Sequence, residues 1–501
     1  MSAAQRWRAP EEDGGILVDP PFREVPRLLD ENRQRLAADC LIMGRPLREW
    51  RQQWSFPHSV LCGHQPELFH PGVWAKNFAV NGIARRHGLT PVNLIIDTDT
   101  IKSTSLPIPV FDADPIRVRE EKLAFDRWEG EAPYQTRRVV DRDFFSSLVE
   151  RANKVIQNWG FKSLLPRFWS LVCEAELRGN WSTTVGQAFA LARAHLEQEW
   201  GCKNQEPELS SALSQTGRVL IAHVLDDLPR FHALYNSCLH AFRRQHRLRS
   251  RTHPVPDLAL KGDLLESPFW LFDVKSGRRG HLLVRQRGED QLDLFTRPDE
   301  QAITIQRHSE HAFDELKSRG LFVQTRALMT TMFARLFLCD LFIHGIGGGI
   351  YDELTDEIIR VYFGIEPPHY LVVSGTLRLP FPQFPGTLEQ CRRVRRELRD
   401  LEWKPQRYVN AGELAVERER WRKRQPVNAA ARRQQFRALQ GLTAQMRSLV
   451  PAEEFSRRQK LLEKCEREAA ANSMLRRRDY AVCLYPEELL KPFCTQFLQL
   501  A

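Results

Sequence analysis

The segment from Ser59 to Asp99 constrains this chain more than any other. Ser59-Val60-Leu61-Cys62 reads as a short strand, Gly63 to Gly72 as a turn, and Val73 to His87 as a helix with Trp74, Phe78, Ile83 and Ala84 at helical spacing. A second strand runs from Pro91 to Ile96 and ends on Asp97-Thr98-Asp99. Strand, helix and strand within about 40 residues make a βαβ unit, whose crossover sets the two strands parallel. A comparable block follows much later. A helix from Arg326 to Leu338 leads into a strand, Leu341-Phe342-Ile343-His344. The loop Gly345-Ile346-Gly347-Gly348-Gly349 then opens a helix from Ile350 to Phe363, and a strand follows from Tyr370 to Ser374. The expected class is therefore α/β, with a parallel sheet at its centre.

Between and around these blocks the chain changes character. Residues 1–55 read as a polar lead-in with one short helix from Glu31 to Leu41, and residues 56–140 as the first half of the core, with further short strands or an insertion from 103. Residues 141–265 read as a mainly helical insert, in which Asn180-Trp181-Ser182-Thr183 looks like the capped start of a helix from Val185 to Trp200. Mixed strands begin near Ser267, so 266–385 is the second half of the core. Residues 386–501 form a charged helical, coiled-coil-like region, where Leu439, Leu442, Met446 and Leu449 make a short heptad-like seam.

A chain of 501 residues exceeds one ordinary core, and 42% hydrophobic with 10% aromatic residues excludes global disorder. No stretch approaches the roughly 20 apolar residues that span a bilayer. The N-terminal Met1-Ser2-Ala3-Ala4-Gln5-Arg6-Trp7-Arg8 lacks the apolar core of a signal peptide. Ten cysteines are scattered without a C-x-x-C pair, which points to reduced thiols in a cytoplasmic protein rather than to a zinc ribbon or a disulfide framework. The net charge of +10 is local: residues 387–478 hold 24 Lys and Arg against 12 Asp and Glu. That basic segment is a solvated helical face, a polyanion surface or a self-association arm; its composition fits all three.

Two turns carry the candidate chemistry. Each follows a strand and precedes a helix, where free backbone N–H groups favour anions. In the first, Gly63 allows close approach, His64 and His70 are donors or proton carriers, Gln65 is a neutral donor and acceptor, and Lys76 adds a positive charge one turn into the helix. In the second, Gly345, Gly347 and Gly348 form a phosphate-type loop without a dinucleotide fingerprint or a Walker A lysine, and Tyr351 and Asp352 stand just inside the helix, in reach of a substrate amine or ribose. Asp97 and Asp99 end the second strand, as contacts to an amine, a ribose or a metal, or as caps of the next element. His308 and His311 lack a third ligand, and no H-E-x-x-H, G-x-S-x-G or kinase signature occurs, so no metal site is expected. Arg243-Arg244-Gln245-His246-Arg247-Leu248-Arg249, leading to His253-Pro254, reads as a solvated helix end or an anion clamp.

The segment from Gly63-His64-Gln65-Pro66 to Lys76 resembles the Gly-Gln-Gln motif of the cysteine-adding enzymes of bacillithiol biosynthesis. Arg326, the Leu341–Gly348 segment and Tyr351 resemble that family's second block. Where the family carries Glu-Asp-His-Asp, this chain has Thr98-Asp99-Thr100-Ile101 and keeps only Asp99. The resemblance implies a Rossmann-like core related to class I synthetases and nucleotidyltransferases, and addition of cysteine to a glucosaminyl-malate amine. It further implies ATP or ADP at the site and a homodimer through C-terminal helices. His64, Gln65 and Asp99 would act on the reacting groups. Gly63, His70, Lys76, Arg326, Gly345, Gly347, Gly348 and Tyr351 would hold substrate or phosphate. Two alternatives are a transferase of nucleotidyltransferase type on the same fold and a non-enzymatic polyanion- or RNA-binding protein that uses the basic region.

Overall fold

The computed structural model describes residues 7–112, 117–178, 183–250, 252, 255–309 and 311–501. Its centre is a five-stranded sheet of β1 (Ile16–Asp19), β2 (Ser59–His64), β3 (Thr90–Ile95), β4 (Leu341–His344) and β5 (Tyr370–Gly375), in the order β1-β5-β4-β2-β3. The last four are mutually parallel and β1 closes the edge antiparallel to β5. The protein is thus α/β, with a mostly parallel sheet. The first four residues of β2 and all of β4 are buried, as expected where helices cover both faces. The lead-in contributes β1, pairing Ile16 with Gly375 and Asp19 with Val372.

Helix α1 (Pro71–His87) links β2 to β3, and α2 (Ile346–Ile358) links β4 to β5. Gly88, at φ 66°, ends α1 in the left-handed conformation. Most of α1 is buried. Trp74 and Phe78 pack on Trp200, and the buried Glu197 accepts from Trp74 Nε1 at 2.5 Å, Asn77 Nδ2 at 2.7 Å and Arg193 Nη1 at 2.6 Å. The Glu31–Leu41 helix lies earlier than expected, at Val25–Leu36, because Pro26 in the first turn sets its start. Thr184 caps the Val185–Glu199 helix through a capping box with Gln187; the expected cap at Asn180-Trp181-Ser182 lies outside the described residues. His253 and Pro254 lie outside them too.

Between β3 and β4 the chain builds a β-hairpin (Ser105–Asp112 with Arg117–Ala124), a helical layer and an antiparallel sheet. The strands Leu264–Asp273, Arg278–Arg287, Gln291–Phe295 and Ile303–Gln306 follow in order, and Leu321–Thr325 pairs with the other side of Leu264–Asp273. That last strand runs through Arg326 and the helix Ala327–Phe333 into β4, so the second sheet is tied directly to the first.

After β5 the chain forms an arm of α3 (Leu388–Trp403), α4 (Gly412–Lys423), α5 (Ala429–Ser448) and α6 (Ala452–Leu475). Leu442 and Met446 of the seam are buried inside the chain, while Leu449 is half exposed. The 386–501 region does not stay together as an arm. Helix α7 (Glu487–Leu500) returns to pack on α1, where a Cβ on Gly82 would lie 2.7 Å from the Phe497 carbonyl.

Candidate anion site at the sheet crossover

In sequence order β2 has β3 on one side and β4 on the other, so the strand order reverses between β2 and β4. At such a switch point the two following loops diverge and leave a crevice beyond the carboxyl ends of the strands. A cavity of about 620 Å³ occupies that place.

The first wall is the turn after β2. His70 caps α1, its Nδ1 accepting from Gly72 N at 3.1 Å, and Pro71 occupies the first helical position. A Cβ on Gly72 would lie 2.4 Å from the Gly375 carbonyl, so only glycine lets the turn sit on β5. The second wall is the turn after β4, which is tighter than the sequence suggested. Gly345 is the N-cap of α2, and Gly347 to Gly349 are already in the helix rather than in a loop before it. A Cβ at Gly345 or Gly347 would meet nothing within 4 Å, whereas one at Gly348 would lie 2.6 Å from His344 Nδ1. Gly348 is needed for packing; Gly345 and Gly347 leave the helix N-terminus open toward the cavity.

Gly63, His64, Gln65, His70, Lys76, Asp99, Arg326, Gly345, Gly347 and Gly348 all line this one cavity. Tyr351 does not: it packs against a hydrophobic cluster beside α2. Asp352 does not reach a ligand either. Its buried carboxylate accepts from His344 Nε2 at 2.7 Å, Arg335 Nη1 at 2.6 Å and Thr331 Oγ1 at 2.9 Å. The two strand-end aspartates also part company. Asp97 accepts from the backbone and hydroxyl of Ser210 at 2.9 and 2.5 Å, in a different cavity, and burial pushes its carboxyl up to about 6. Asp99 stays at the site, accepting from Gln65 Nε2 at 2.8 Å.

Three lining residues carry no sequence motif. Trp270 and Arg279 come from the antiparallel sheet and Arg478 from the segment after the arm. The Arg279 guanidinium lies 4.6 Å from the Trp270 ring centroid and donates to the Thr98 carbonyl at 2.6 Å. Arg326 approaches the same ring at 5.3 Å and donates to Glu266 Oε1 at 2.6 Å. Burial opposes ionisation of Glu266, but its bonds to His281 and Arg326 hold the carboxyl down at about 2. Arg478 donates to the Gly375 carbonyl at 2.9 Å. Trp270 sits in an apolar run that reads as core, and Arg478 in a charge run that reads as surface. Trp270 and Arg279 stand on adjacent antiparallel strands, Trp270 opposite His281 and Arg279 opposite Phe272, so no spacing in the sequence announces the pair.

Lys76, Arg279, Arg326 and Arg478 thus face one cavity whose lining has a single carboxylate, Asp99. Lys76 is 4% exposed, and its ammonium donates to the Gly63 carbonyl at 3.3 Å; among the described residues no carboxylate is within ion-pair reach of it. Burial lowers its pKa. Burial, reinforced by Lys76, lowers His64 to about 3, and burial with Arg478 lowers His70 to about 4. Both rings are therefore neutral near pH 7. His64 Nδ1 lies 3.1 Å from the Gln65 carbonyl, an acceptor, so Nδ1 carries the proton and Nε2 keeps its lone pair. Among the described residues no group of three or more His, Cys, Asp or Glu could hold a metal ion.

These two histidines set an acid limit. Their folded pKa values lie below the unfolded value near 6.5, so the unfolded chain binds more protons between about 3 and 6.5. Their contribution to stability is expected to be full above pH 6.5 and to be lost as pH drops through that window. A double variant, His64→Gln with His70→Gln, should flatten the fall in urea midpoints measured from pH 7 to pH 4; an unchanged slope would assign it to other groups.

A second cavity of about 280 Å³ shares Gln65 and Asp99 with the first and is lined further by Glu67, Lys102 and Tyr134. Gln65 and Asp99 therefore stand between a cation-rich chamber and one that contains a second carboxylate.

No family model matches this chain, and neither does any curated protein. The resemblance to the cysteine-adding enzymes stands on its short motifs. Among the described residues no helix is long and apolar enough to cross a membrane.

Proposed function

We propose that the chain is a ligase-like enzyme on a Rossmann-like core that joins cysteine to the amine of an acidic amino sugar of glucosaminyl-malate type. The observation that carries the reading is Lys76, a buried cation with no carboxylate partner among the described residues, in a cavity it shares with three arginines. Burying a charge is costly unless it is paired, so such a cavity suits a ligand that brings negative charge. A malate group offers two carboxylates and cysteine one. The strand-order reversal at the cavity supports the Rossmann-like assignment.

The residues also suit the phosphates of ATP or ADP. The open N-terminus of α2 at Gly345 and Gly347, with Arg326 and Lys76, would hold them. A bound nucleotide would supply activation of the carboxyl group that is to be joined. The chain's own contribution is positioning. Asp99, fixed by Gln65, orients the acceptor amine at the border of the two chambers, and the Nε2 lone pair of His64 accepts a hydrogen bond from it. Burial leaves His64 too weak a base to deprotonate an ammonium near neutral pH, so its ring orients the amine, which attacks in its unprotonated form and gives up its remaining proton to water.

A thermal-shift panel of ATP, ADP, cysteine and glucosaminyl-malate on the wild type and on His64→Ala tests this. Upward shifts with glucosaminyl-malate and cysteine are expected, retained in part by the variant, whose turnover is lost. No shift from any of the four would sink the proposal. Shifts from ATP alone would favour a nucleotidyltransferase-type enzyme. The basic arm gives the third reading its observation, since Arg420, Arg424, Arg432, Arg433 and Arg437 are exposed and without ion-pair partners among the described residues. Salt-sensitive RNA binding unaffected by changes in the cavity would favour that reading.

A further inference from the structure

The arm hides a pair of thiols that no motif announces. Cys391, in the first turn of α3, and Cys465, in α6, have their sulfurs 2.7 Å apart. Both are free cysteines, buried with Val394, Leu462 and Ala469. Their helices run antiparallel and are held in register on either side. Arg395 pairs with Glu466 at 2.6 Å and Arg458 with Glu397 at 3.4 Å. The start of α3 is stitched to α6 as well, because Gly386 N donates to Glu468 Oε2 at 2.7 Å and Asn472 Nδ2 donates to the Phe384 and Gly386 carbonyls. The two sulfurs therefore already meet between helices whose register these contacts hold.

We propose that Cys391 and Cys465 are an oxidative modification site, which a low-molecular-weight disulfide converts to an intramolecular disulfide that locks the root of the arm. The step balances by exchange. One thiol loses its proton, and its sulfur attacks the small disulfide, forming a mixed disulfide and releasing one small thiolate. The second cysteine, deprotonated in turn, attacks the protein sulfur and expels the other half as a second thiolate. The protein pair is oxidised by two electrons, and the small disulfide is reduced to two thiols. The link spans 74 residues and encloses nearly the whole arm.

The location gives the modification a consequence. The root of α3 follows β5, whose Ser374 lines the cavity, and α6 ends just before Arg478, which lines it too. Arg478 also bonds to the Gly375 carbonyl, joining the two strands of chain that enter and leave the arm. The oxidised form fixes these two strands together at the arm's root. Burial and the neighbouring thiol push Cys465 up to about 11, so exchange is slow near neutral pH and quickens as pH rises.

The test uses the full chain and cystamine, a small disulfide, with free thiols counted after denaturation. The wild type is expected to go from ten thiols to eight with loss of two hydrogens in mass, and a tryptic peptide pair should link Cys391 to Cys465. The rate should rise between pH 7 and pH 9, and the thermal midpoint of the oxidised form should rise by several degrees. Cys391→Ser and Cys465→Ser should each lose the crosslinked peptide. Retention of ten thiols in the wild type, recovery of these cysteines only as mixed disulfides, or mapping of the link to another pair would each overturn the proposal.

Discussion

Replacing Lys76 by methionine is expected to weaken anion binding at the crossover by roughly tenfold to a hundredfold while leaving the fold as stable as before or slightly more so. These two effects have opposite signs because they act on different states. In the free protein the ammonium is buried against the Gly63 carbonyl with no counter-ion among the described residues, so its charge costs stability. The sign follows from its lowered pKa: between the folded and unfolded values the unfolded chain binds more protons, so wild-type stability rises with pH up to about 10.4. Lys76→Met should lose that rise. In the bound state the same charge meets an anion at short range. A charge-assisted hydrogen bond contributes about 1.5–3 kcal/mol, so its loss should weaken binding by roughly tenfold to a hundredfold. Calorimetric titration with ADP and with glucosaminyl-malate, together with urea unfolding, measures both. A variant that loses stability yet binds as well as the wild type would make Lys76 a packing residue and remove the main support for the proposed function.

Arg335→Met should have the largest effect on the fold itself, a loss of about 3–5 kcal/mol. Arg335 is 1% exposed and pairs with Asp352 and Asp356 at 2.6 Å each, and its guanidinium lies 4.8 Å from the Tyr370 ring centroid. It also donates to the Pro368 carbonyl, so one side chain holds the helix before β4, helix α2 and the entry to β5 together. Without it the buried Asp352 and the partly exposed Asp356 both lose their arginine partner. Burial resists ionisation of Asp352, but Arg335 and His344 hold its carboxyl well below the usual range. Its stabilisation is therefore present above the unfolded value near 3.9 and lost as pH falls further. Because Asp352 also fixes His344 on the cavity wall, the variant should weaken ligand binding too. The double variant Arg335→Met with Asp352→Asn should recover part of the lost stability in denaturant midpoints. No recovery would mean that Arg335 acts through its carbonyl contact and packing, not through the buried carboxylate.

Much of the site was legible because it is local. Gly63 to Lys76 is one turn and the helix it feeds, and hydrophobic spacing with punctuating glycine and proline reports such units directly. The same holds for Leu341 to Gly348. Errors came where one local rule was extended past its end. Asp97 and Asp99 would share a face of an extended strand, but β3 stops at Ile95, and the turn that follows sends Asp97 to Ser210 and Asp99 to Gln65. Asp352 looked available because a helix N-terminus often presents its side chains to ligands. Its neighbours in space, Arg335 and His344, claim it instead. Trp270, Arg279 and Arg478 were out of reach for a different reason: each arrives by the packing of a separate element, and neither periodicity nor spacing encodes which elements will meet.

The interleaving of the central sheet also sets a timetable. β2 lies between β3 and β4, yet roughly 280 residues of chain are made after β2 before β4 exists. At about 5–20 residues per second a ribosome takes on the order of 14–55 s to cover that distance. For that time β2 has one unpaired edge, and α1 lacks the face that α7 will cover. Nascent chains of this protein should therefore hold a sticky, half-built sheet, and escort by a chaperone through that interval would protect the yield of folded molecules.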